Sequence, residues 1–356
     1  MNKKLRVAII GCGNIANTHA NAYAAHAERI ELVACCDINE ERGKAYAQRY
    51  NVPAFYTDMY KMVEEVKPDA VSVCTWNSQH HDAAICALKG GAHVWCEKPM
   101  AMNVAEAEEM KAAAEEAGKL LMVGFVRRFG DDANCLAPAI AAGELGDIYY
   151  AKAQYLRCKG HPGGWFGDKS YSGGGPLIDL GVHVIDLVRF VSGLPLPTSA
   201  YGLTCSVLPE NRRAWGGGWL SHSAKDAPFK NDNEDNATAI ITFDNGMKLL
   251  IEASYNLDML EEVNRIELYG TKKAATFSPN LGYCSWADDG QRILEQPEGD
   301  TVADFGKMFA AEAGHFVDCC LDGVTCKAPA EDGIELMRIL DACYESARTG
   351  EVVKIR

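Results

Sequence analysis

The chain has 356 residues, 48% of them hydrophobic and 24% charged, and its formal net charge at pH 7 is −14. This length predicts two domains, because a single hydrophobic core rarely grows beyond about 250–300 residues. The negative charge argues against a nucleic-acid partner, which would select a basic surface. The sequence lacks both a signal-peptide pattern and an apolar run near the roughly 20 residues that span a bilayer, so we expect a cytoplasmic protein without a membrane partner.

The fourteen cysteines suggest neither a metal site nor disulfides. No C-x-x-C pair occurs, and the close pairs Cys35-Cys36 and Cys319-Cys320 are adjacent residues with poor geometry for binding one metal. Most of the others lie in apolar segments, where a thiol behaves as a small hydrophobic side chain. We therefore expect reduced, structural thiols and no metal.

A dinucleotide-binding motif opens the chain. The apolar run 5–10 predicts a buried parallel strand, and it leads through G-C-G-N-I-A into an alanine-rich helix ending near residue 26. A second strand at 31–36 ends at Asp37, where a carboxylate can bind ribose hydroxyls. In this pattern the glycines permit a tight turn and close approach of a pyrophosphate to the helix terminus. The predicted cofactor contacts here are Gly11, Gly13, Asn14, Ile15 and Asp37.

The residues after Asp37 favour NAD over NADP. Ile38 and Asn39 follow it, so no arginine stands immediately beside it to bind a 2′-phosphate, and the carboxylate would repel that group. Arg42 is near enough in sequence to change this preference by moving towards the site.

Alternation of strands and helices continues to residue 124. We predict helices at 58–66, 80–88 and 104–117, and strands at 70–75, 92–96 and 120–124. Cofactors bind at the carboxyl ends of such strands, which places Thr75-Trp76-Asn77 and Glu97-Lys98-Pro99 at the predicted site. Lys98 is then a functional group in the cleft, part of an ion pair with Glu97, or an ordinary surface lysine.

The pattern changes beyond residue 124. After a predicted helix at 131–142, a series of strands indicates a second domain built on a largely antiparallel sheet, so we predict domains at 1–124 and 125–356. The predicted strands are 147–157, 200–208, 237–243, 247–255, 264–269, 274–278 and 282–286, followed by helices at 306–321 and 332–347.

A predicted helix at 176–191, within GGGPLIDLGVHVIDLVRF, carries the strongest signal of proton chemistry. Asp179 and His183 are four residues apart and share one face, which Asp186 continues. Histidine titrates near neutral pH, and a neighbouring carboxylate can orient it as a general base. The alternative is a polar helix face with a hydrogen-bonded histidine.

Two long loops are rich in aromatic and polar residues. The segment 155–171 contains His161, Trp165 and Phe166, and the segment 209–236 contains two arginines, two tryptophans and a histidine. Aromatic faces and polar groups together suit a polyol, whose C–H faces stack on rings while its hydroxyls form hydrogen bonds. The alternative is that these rings pack against one another or form an oligomer contact.

These residues together resemble the glucose–fructose oxidoreductase / inositol dehydrogenase family, often called Gfo/Idh/MocA, over essentially the whole chain. The resemblance rests on VAIIGCGNIA, TWNSQHHDAAICALKGGAHVWCEKPMA, EAEEMKAAAEEAGKLLMVGFVRRF, GGGPLIDLGVHVIDLVRF, EDNATAIITFDNG and IELYGTKKAA. It implies an α/β protein with an amino-terminal Rossmann domain that binds NAD(P). The implied carboxyl-terminal α/β domain is like that of glyceraldehyde-3-phosphate dehydrogenase, with an open sheet that forms a homodimer or homotetramer.

The resemblance also implies roles for individual residues. Lys98 matches the family's lysine that hydrogen-bonds the reacting hydroxyl, and Asp179 and His183 match its substrate-binding acid and catalytic base. Trp76 stands where family members usually have proline, which makes the nicotinamide side of the site less predictable. Further expected cofactor contacts are Thr75, Asn77, His80, Glu97 and Lys98, and the expected substrate contacts are Lys98, Arg128, Tyr155, Trp165, Asp179 and His183.

The expected function is transfer of a hydride between NAD and a secondary hydroxyl of a sugar, sugar derivative or cyclitol. Two alternatives remain at this point: glycoside cleavage through a transient 3-keto sugar with NAD retained, and a non-catalytic dinucleotide sensor. The sequence leaves open the sugar or cyclitol, the direction of the reaction and the order of the oligomer.

Overall fold

The computed structural model describes residues 4–208, 220–221, 230–277, 280–297 and 301–355. The chain divides into two compact units. Unit 1 comprises Met1–Val126, Ser170–Gly173 and Gly306–Met337, and unit 2 comprises Arg127–Lys169, Gly174–Phe305 and Arg338–Arg356. Both units are therefore discontinuous in sequence, whereas the predicted domain bounds 1–124 and 125–356 are continuous; those bounds stay a prediction.

Unit 1 is built on a six-stranded parallel sheet in the order β3-β2-β1-β4-β5-β6. This order reverses between β1 and β4, which is the switch point where doubly wound folds bind ligands at the carboxyl ends of their strands. The predicted Rossmann architecture is confirmed. The strands are β1 Leu5–Ile10, β2 Ile30–Cys36, β3 Phe55–Tyr56, β4 Ala70–Val73, β5 His93–Cys96 and β6 Leu121–Val123.

The helices that cover this sheet are mostly those that the apolar periodicity predicts. They are α1 Asn14–Ala24, α2 Glu40–Tyr50, α3 Met59–Val66, α4 His80–Lys89 and α5 Val104–Ala117. Helix α2 was not predicted, because it buries only Gly43 and Tyr46 and so carries no apolar stripe. Its start is visible in the sequence instead, since the Asn39 side chain accepts a hydrogen bond from the Arg42 main-chain N–H, a typical N-cap.

Unit 2 is built on a nine-stranded sheet in the order β14-β13-β12-β11-β7-β10-β9-β8-β15. Only the β7–β10 pair is parallel, so the predicted largely antiparallel sheet is confirmed. The strands are β7 Ile148–Leu156, β8 Pro197–Cys205, β9 Asn236–Phe243, β10 Lys248–Ser254, β11 Val263–Gly270, β12 Ala274–Phe277, β13 Gly282–Trp286, β14 Arg292–Glu295 and β15 Val353–Lys354.

Strand β8 begins and ends three residues earlier than the predicted range 200–208. Its register starts with Pro197 opposite Phe243 and ends at Cys205. The carboxylate of Asp235 then accepts the main-chain N–H groups of Val207 and Leu208 at 2.9 and 3.0 Å, which removes both donors from the ladder. A side chain 27 residues away therefore ends the strand, and local sequence does not show it.

The remaining helices are α6 Asp131–Ala141, α7 Lys169–Ser172, α8 Val182–Val191, α9 Phe305–Asp322 and α10 Ala330–Thr349. Helix α8 packs on β7, and the turn that precedes it packs on β10. The predicted helix over 176–191 is continuous in the structure, but its first turn, Leu177–Gly181, is a π turn and not regular α-helix. Among the described residues, no helix combines the length and apolar character needed to cross a membrane.

Candidate active site

The glycine-rich loop between β1 and α1 has room for a ligand at the start of the helix. Gly11 has φ +90°, and a Cβ there would lie 2.6 Å from the Cys74 carbonyl oxygen, so only glycine fits. A Cβ on Gly13 would meet no atom within 4 Å, and Gly13, the N-cap residue of α1, has no side chain to cap the helix. Asn14 and Ile15 are half-buried in the first turn. This open space beside the amino terminus of α1 fits a pyrophosphate.

Asp37 lies buried at the end of β2 and is fixed by four hydrogen bonds. It accepts the main-chain N–H groups of Cys12 and Asn39, each at 2.8 Å. The Arg42 guanidinium donates to both carboxylate oxygens, at 2.9 and 2.8 Å. A ribose diol would take over the lone pairs that Arg42 now occupies, and the carboxylate beside the glycine loop fits NAD.

Glu97 is buried and supports the main chain at Lys98. Its carboxylate is 2.8 Å from Nε2 of His19 and accepts the Lys98 N–H at 3.2 Å. The His19 ring stacks on Trp95 with centroids 3.8 Å apart. A Cβ on Gly124 would lie 3.3 Å from Glu97, so the packing there is tight. Glu97 therefore acts on the main chain beside Lys98, and its predicted contact with the cofactor stays a prediction.

His80 holds the other side of Lys98. Its Nδ1 donates to the Pro99 carbonyl oxygen at 2.7 Å, and the Lys98–Pro99 peptide bond is cis. Burial lowers the pKa of His80, so the ring is neutral at pH 7. Lys98 itself is half-buried, directly after β5. Its backbone is thus fixed from both neighbours, by a carboxylate on one side and an imidazole on the other.

The Trp76 and Asn77 side chains hold a distant segment of the same unit. The Asn77 amide donates to the Ser172 carbonyl oxygen at 2.8 Å, and the Trp76 ring meets Tyr171 edge-on at 4.7 Å between centroids. Thr75 is half-buried, with its hydroxyl 3.2 Å from the Trp76 carbonyl oxygen. The expected contacts of Thr75 and Asn77 with the nicotinamide stay predictions.

In unit 2, the π turn presents Asp179 to a buried tyrosine. Tyr255 donates its hydroxyl to the Asp179 carboxylate at 3.0 Å. Burial and the Asp179 charge raise the pKa of Tyr255 well above its usual value, so the phenol remains a donor at all ordinary pH values. One turn later, His183 is half-buried, whereas every other residue between 174 and 189 is buried. Within this segment the imidazole is thus the most exposed side chain, and the Asp179 carboxylate one turn before it is 9% exposed.

The start of this segment is held by Glu234, which sequence reasoning did not find. Its carboxylate accepts the Gly175 and Leu177 main-chain N–H groups at 2.9 and 3.2 Å and the Tyr344 hydroxyl at 2.9 Å. A Cβ on Gly175 would lie 2.5 Å from the Glu234 carbonyl oxygen. Glycine at position 175, just before the π turn, is therefore required by the close approach of Glu234.

Arg128 has a supporting position, which argues against its predicted contact with substrate. It is fully buried, donates to both carboxylate oxygens of Asp186 at 2.9 and 2.5 Å, and lies over the Phe190 ring at 5.0 Å. The third polar residue of the predicted helix stripe is therefore a partner of Arg128. We assign this pair to holding α8 in place.

The aromatic loop residues are placed only in part. Tyr155 receives a hydrogen bond from Arg157 at 3.1 Å, and Trp165 stacks on Phe166 with centroids 3.9 Å apart. His161 meets Tyr255 edge-on at 4.9 Å, next to Asp179. Five residues of the second predicted loop, Arg212, Arg213, Trp215, Trp219 and His222, lie outside the described residues.

The structure thus places the predicted residues in two groups, one in each unit. The glycine loop, Asp37 and Lys98 lie around the carboxyl ends of strands in unit 1, and Asp179 and His183 lie on one segment of unit 2. Sequence reasoning missed His19, Glu234 and Tyr255. Of these three, His19 was the easiest to predict from the sequence, because it is the only histidine of the alanine-rich helix α1 and lies one turn beyond the glycine motif.

A Rossmann unit with this loop and a second unit with an acid–histidine segment define a dinucleotide-dependent oxidoreductase. Residues 5–125 match the model of the oxidoreductase family with an NAD-binding Rossmann fold, and residues 136–276 match the model of the GFO/IDH/MocA C-terminal domain. The chain belongs to the Gfo/Idh/MocA family.

Relatives and solved structures agree with this assignment. The chain is 34% identical to D-glucoside 3-dehydrogenase of Escherichia coli K12, covering 99% of this chain and 97% of that protein. It is 26% identical to scyllo-inositol 2-dehydrogenase (NAD⁺) of Bacillus subtilis 168, covering 100% and 97%. The structure of levoglucosan dehydrogenase in complex with NADH shares the fold, with a TM-score of 0.86, 23% identity and coverage of 99% and 100%.

The two glycines of the cofactor loop should separate folding from cofactor binding. Gly13→Ala has room for its Cβ, so it should fold normally but weaken NAD⁺ binding about tenfold or more, a loss of about 1.4 kcal/mol. Gly11→Ala should instead lose about 2–4 kcal/mol of stability through its positive φ and the clash with Cys74. Thermal unfolding and fluorescence titration with NADH would measure both. Equal effects of the two changes on stability would contradict this assignment.

The neutral, buried His80 predicts a pH-dependent stability. Because its pKa is lowered on folding, the unfolded chain binds more protons, and stability falls as pH drops below about 6.5. His80→Asn keeps a donor for the Pro99 carbonyl but cannot titrate, so its curve should be flatter between pH 7 and about 5. Urea unfolding of both proteins at several pH values would test this, and parallel curves would exclude His80 as the source.

Proposed function

We propose that this protein is an NAD-dependent dehydrogenase that oxidises a secondary hydroxyl of a sugar, with D-glucosides as the first substrate class to test. The observation that carries the proposal is the single half-buried imidazole, His183, on an otherwise buried segment whose Asp179 is fixed by Tyr255. Support for the substrate class comes from the full-length similarity to D-glucoside 3-dehydrogenase. Cyclitols are the next class, given the similarity to scyllo-inositol 2-dehydrogenase.

The proposed mechanism divides the work between cofactor and protein. Bound NAD⁺ supplies the hydride acceptor, and the protein must remove the hydroxyl proton and stabilise the developing negative charge. Neutral His183 takes the proton as general base. The Lys98 ammonium donates a hydrogen bond to the same oxygen, where the negative charge develops. Its main chain is held by Glu97 and by the bond from His80 to Pro99, which favours a fixed position.

Asp179 is proposed to bind a neighbouring hydroxyl of the sugar. Its carboxylate has several lone pairs, of which the Tyr255 hydroxyl takes one, so it can still accept from a polyol. Tyr255 orients that carboxylate and, because its pKa is raised, does not itself titrate in the working range. Tyr155 and Trp165 remain candidates for contact with the sugar ring, since both are half-buried.

We also propose a reducing, cytoplasmic setting and a homo-oligomer, as either a dimer or a tetramer. All fourteen cysteines are free, which suits a reducing compartment. Tyr201, Leu203 and Ile240 are 36%, 51% and 47% exposed, and Tyr201 lies directly opposite Ile240 in the sheet. An apolar patch of this kind on an open sheet supports pairing with a second copy.

Substitution of the proposed base and lysine should stop chemistry without removing the cofactor. His183→Ala and Lys98→Met should each lower kcat by about 10²–10⁴, because a positioned acid or base contributes that much. NADH binding, followed by fluorescence, should change little. Lys89→Met, at the exposed end of α4, is the matched control and should be unaffected. Turnover of His183→Ala within about tenfold of the wild type would exclude histidine as the base.

The reaction type is tested by following nicotinamide absorbance and sugar products together. Incubation with NAD⁺ and methyl glucosides, free aldoses or inositols should give NADH in proportion to a keto product from one class. Release of an aglycone without net NADH would instead show that the hydride returns and that the protein cleaves glycosides. If neither occurs while NADH binds tightly, the dehydrogenase proposal fails and a sensor is favoured.

A further inference from the structure

A cluster of one histidine and two cysteines forms in unit 1 on and after helix α9. The ligand atoms of His315, Cys319 and Cys326 all lie within 4.8 Å of one another, and each residue is half-buried. His315 and Cys319 are four residues apart on one face of α9. Cys326 comes from the loop that follows the helix, where Gly323 has φ +68° and allows the chain to turn back.

The cluster lies away from the cofactor loop of the same unit. Asp318, between its two helical members, forms an ion pair with Arg29, the residue before β2. That contact lies at the amino end of the strand, whereas the glycine loop and Asp37 lie at the carboxyl ends. The cluster therefore contributes nothing to the proposed hydride transfer.

We propose that His315, Cys319 and Cys326 bind a soft divalent cation such as Zn²⁺. Thiolate and imidazole ligands select such cations, and the ligand set is one nitrogen and two sulfurs. Tetrahedral zinc with its usual bond lengths places a bound nitrogen about 3.5 Å from a bound sulfur. The Nε2 of His315 lies 3.4 Å from the Sγ of Cys319, which matches that separation.

The hydrogen bonds at the cluster already set the histidine tautomer. The Lys327 main-chain N–H donates to Nε2 of His315 at 2.9 Å, so Nε2 carries the ring's lone pair, and a cation bound there would take the place of this N–H. On metal binding, Cys319 and Cys326 each exchange an S–H proton for a metal–sulfur bond, and two protons leave to solvent.

Three protein ligands leave the fourth tetrahedral position for water or another small ligand. The chain after the cluster reaches the edge of the sheet, where the Ala328 carbonyl accepts the Val123 N–H at 2.9 Å. A cation bound to Cys326 would hold this loop against α9 and so fix the short segment that leads from Cys326 to Ala328. No metal site was predicted because the chain lacks C-x-x-C pairs, whereas this site joins a helical i, i+4 pair to a cysteine seven residues further on.

The test is titration of the reduced, full-length protein with Co²⁺, which reports thiolate ligands by charge-transfer absorption and tetrahedral geometry by its visible bands. We expect one Co²⁺ per chain, displaced by Zn²⁺, with about two protons released for each cation. Cys326→Ser and His315→Gln should each weaken binding about 100-fold or more, since even partners outside the metal's own ligands contribute about 10–100-fold. The glutamine side chain keeps an acceptor for the Lys327 N–H, so the His315→Gln variant should fold.

Cys320→Ser is the matched control, because Cys320 is the adjacent, also half-buried thiol on α9 but is not part of the cluster. It should bind Co²⁺ as the wild type does. Absence of thiolate charge transfer in the wild type, unchanged binding by Cys326→Ser, or loss of binding in Cys320→Ser would each overturn the proposal. None of these measurements depends on turnover. The metal-site proposal can therefore hold if the dehydrogenase proposal fails, and the dehydrogenase proposal can hold if the metal-site proposal fails.

Discussion

The buried carboxylate of Glu234 is the constraint on which the acid–histidine segment depends. Three donors converge on it, two of them main-chain N–H groups just before and within the π turn and the third the Tyr344 hydroxyl. A π turn leaves hydrogen-bonding groups out of register with a regular helix, and such turns are frequent at functional sites. By accepting the donors at the start, Glu234 fixes where the turn begins, and with it the direction of Asp179.

The same physical device recurs in unit 1. Glu97 also has a buried carboxylate, and it accepts the main-chain N–H of the proposed functional residue Lys98. Its second oxygen is tied to His19, whose ring is fully buried and stacked on Trp95. A buried carboxylate that is left unpaired is unfavourable by several kcal/mol, so each one specifies its partners strongly. Both proposed functional segments are therefore positioned through the main chain by buried acids.

Local sequence patterns predicted most of the helices and strands, but they did not predict the side-chain contacts that hold the candidate site in place. Apolar periodicity predicted α5 at its observed bounds, and the glycine motif placed β1, α1 and Asp37 correctly. The charged helix α2 was not predicted, because it buries few side chains and so has no apolar stripe. The π turn was not predicted, because about one extra residue per turn leaves the spacing of the apolar residues almost unchanged. His19 and Glu97 are 78 residues apart, and Asp179 and Tyr255 are 76 apart. Pairs so distant are joined only by the folded topology.

Trp76 shows how a departure from the family pattern acts through packing. The resemblance leads one to expect proline there, which would fix the backbone before Asn77. Here the Trp76 ring packs against Tyr171, and Asn77 is still anchored, through the Ser172 carbonyl. The backbone restraint of proline is thus replaced by contacts to segment 170–173, which leads along the chain directly into the glycine run and the π turn. Differences in specificity from proline-bearing relatives should therefore arise in that segment, and not from a loosened Asn77.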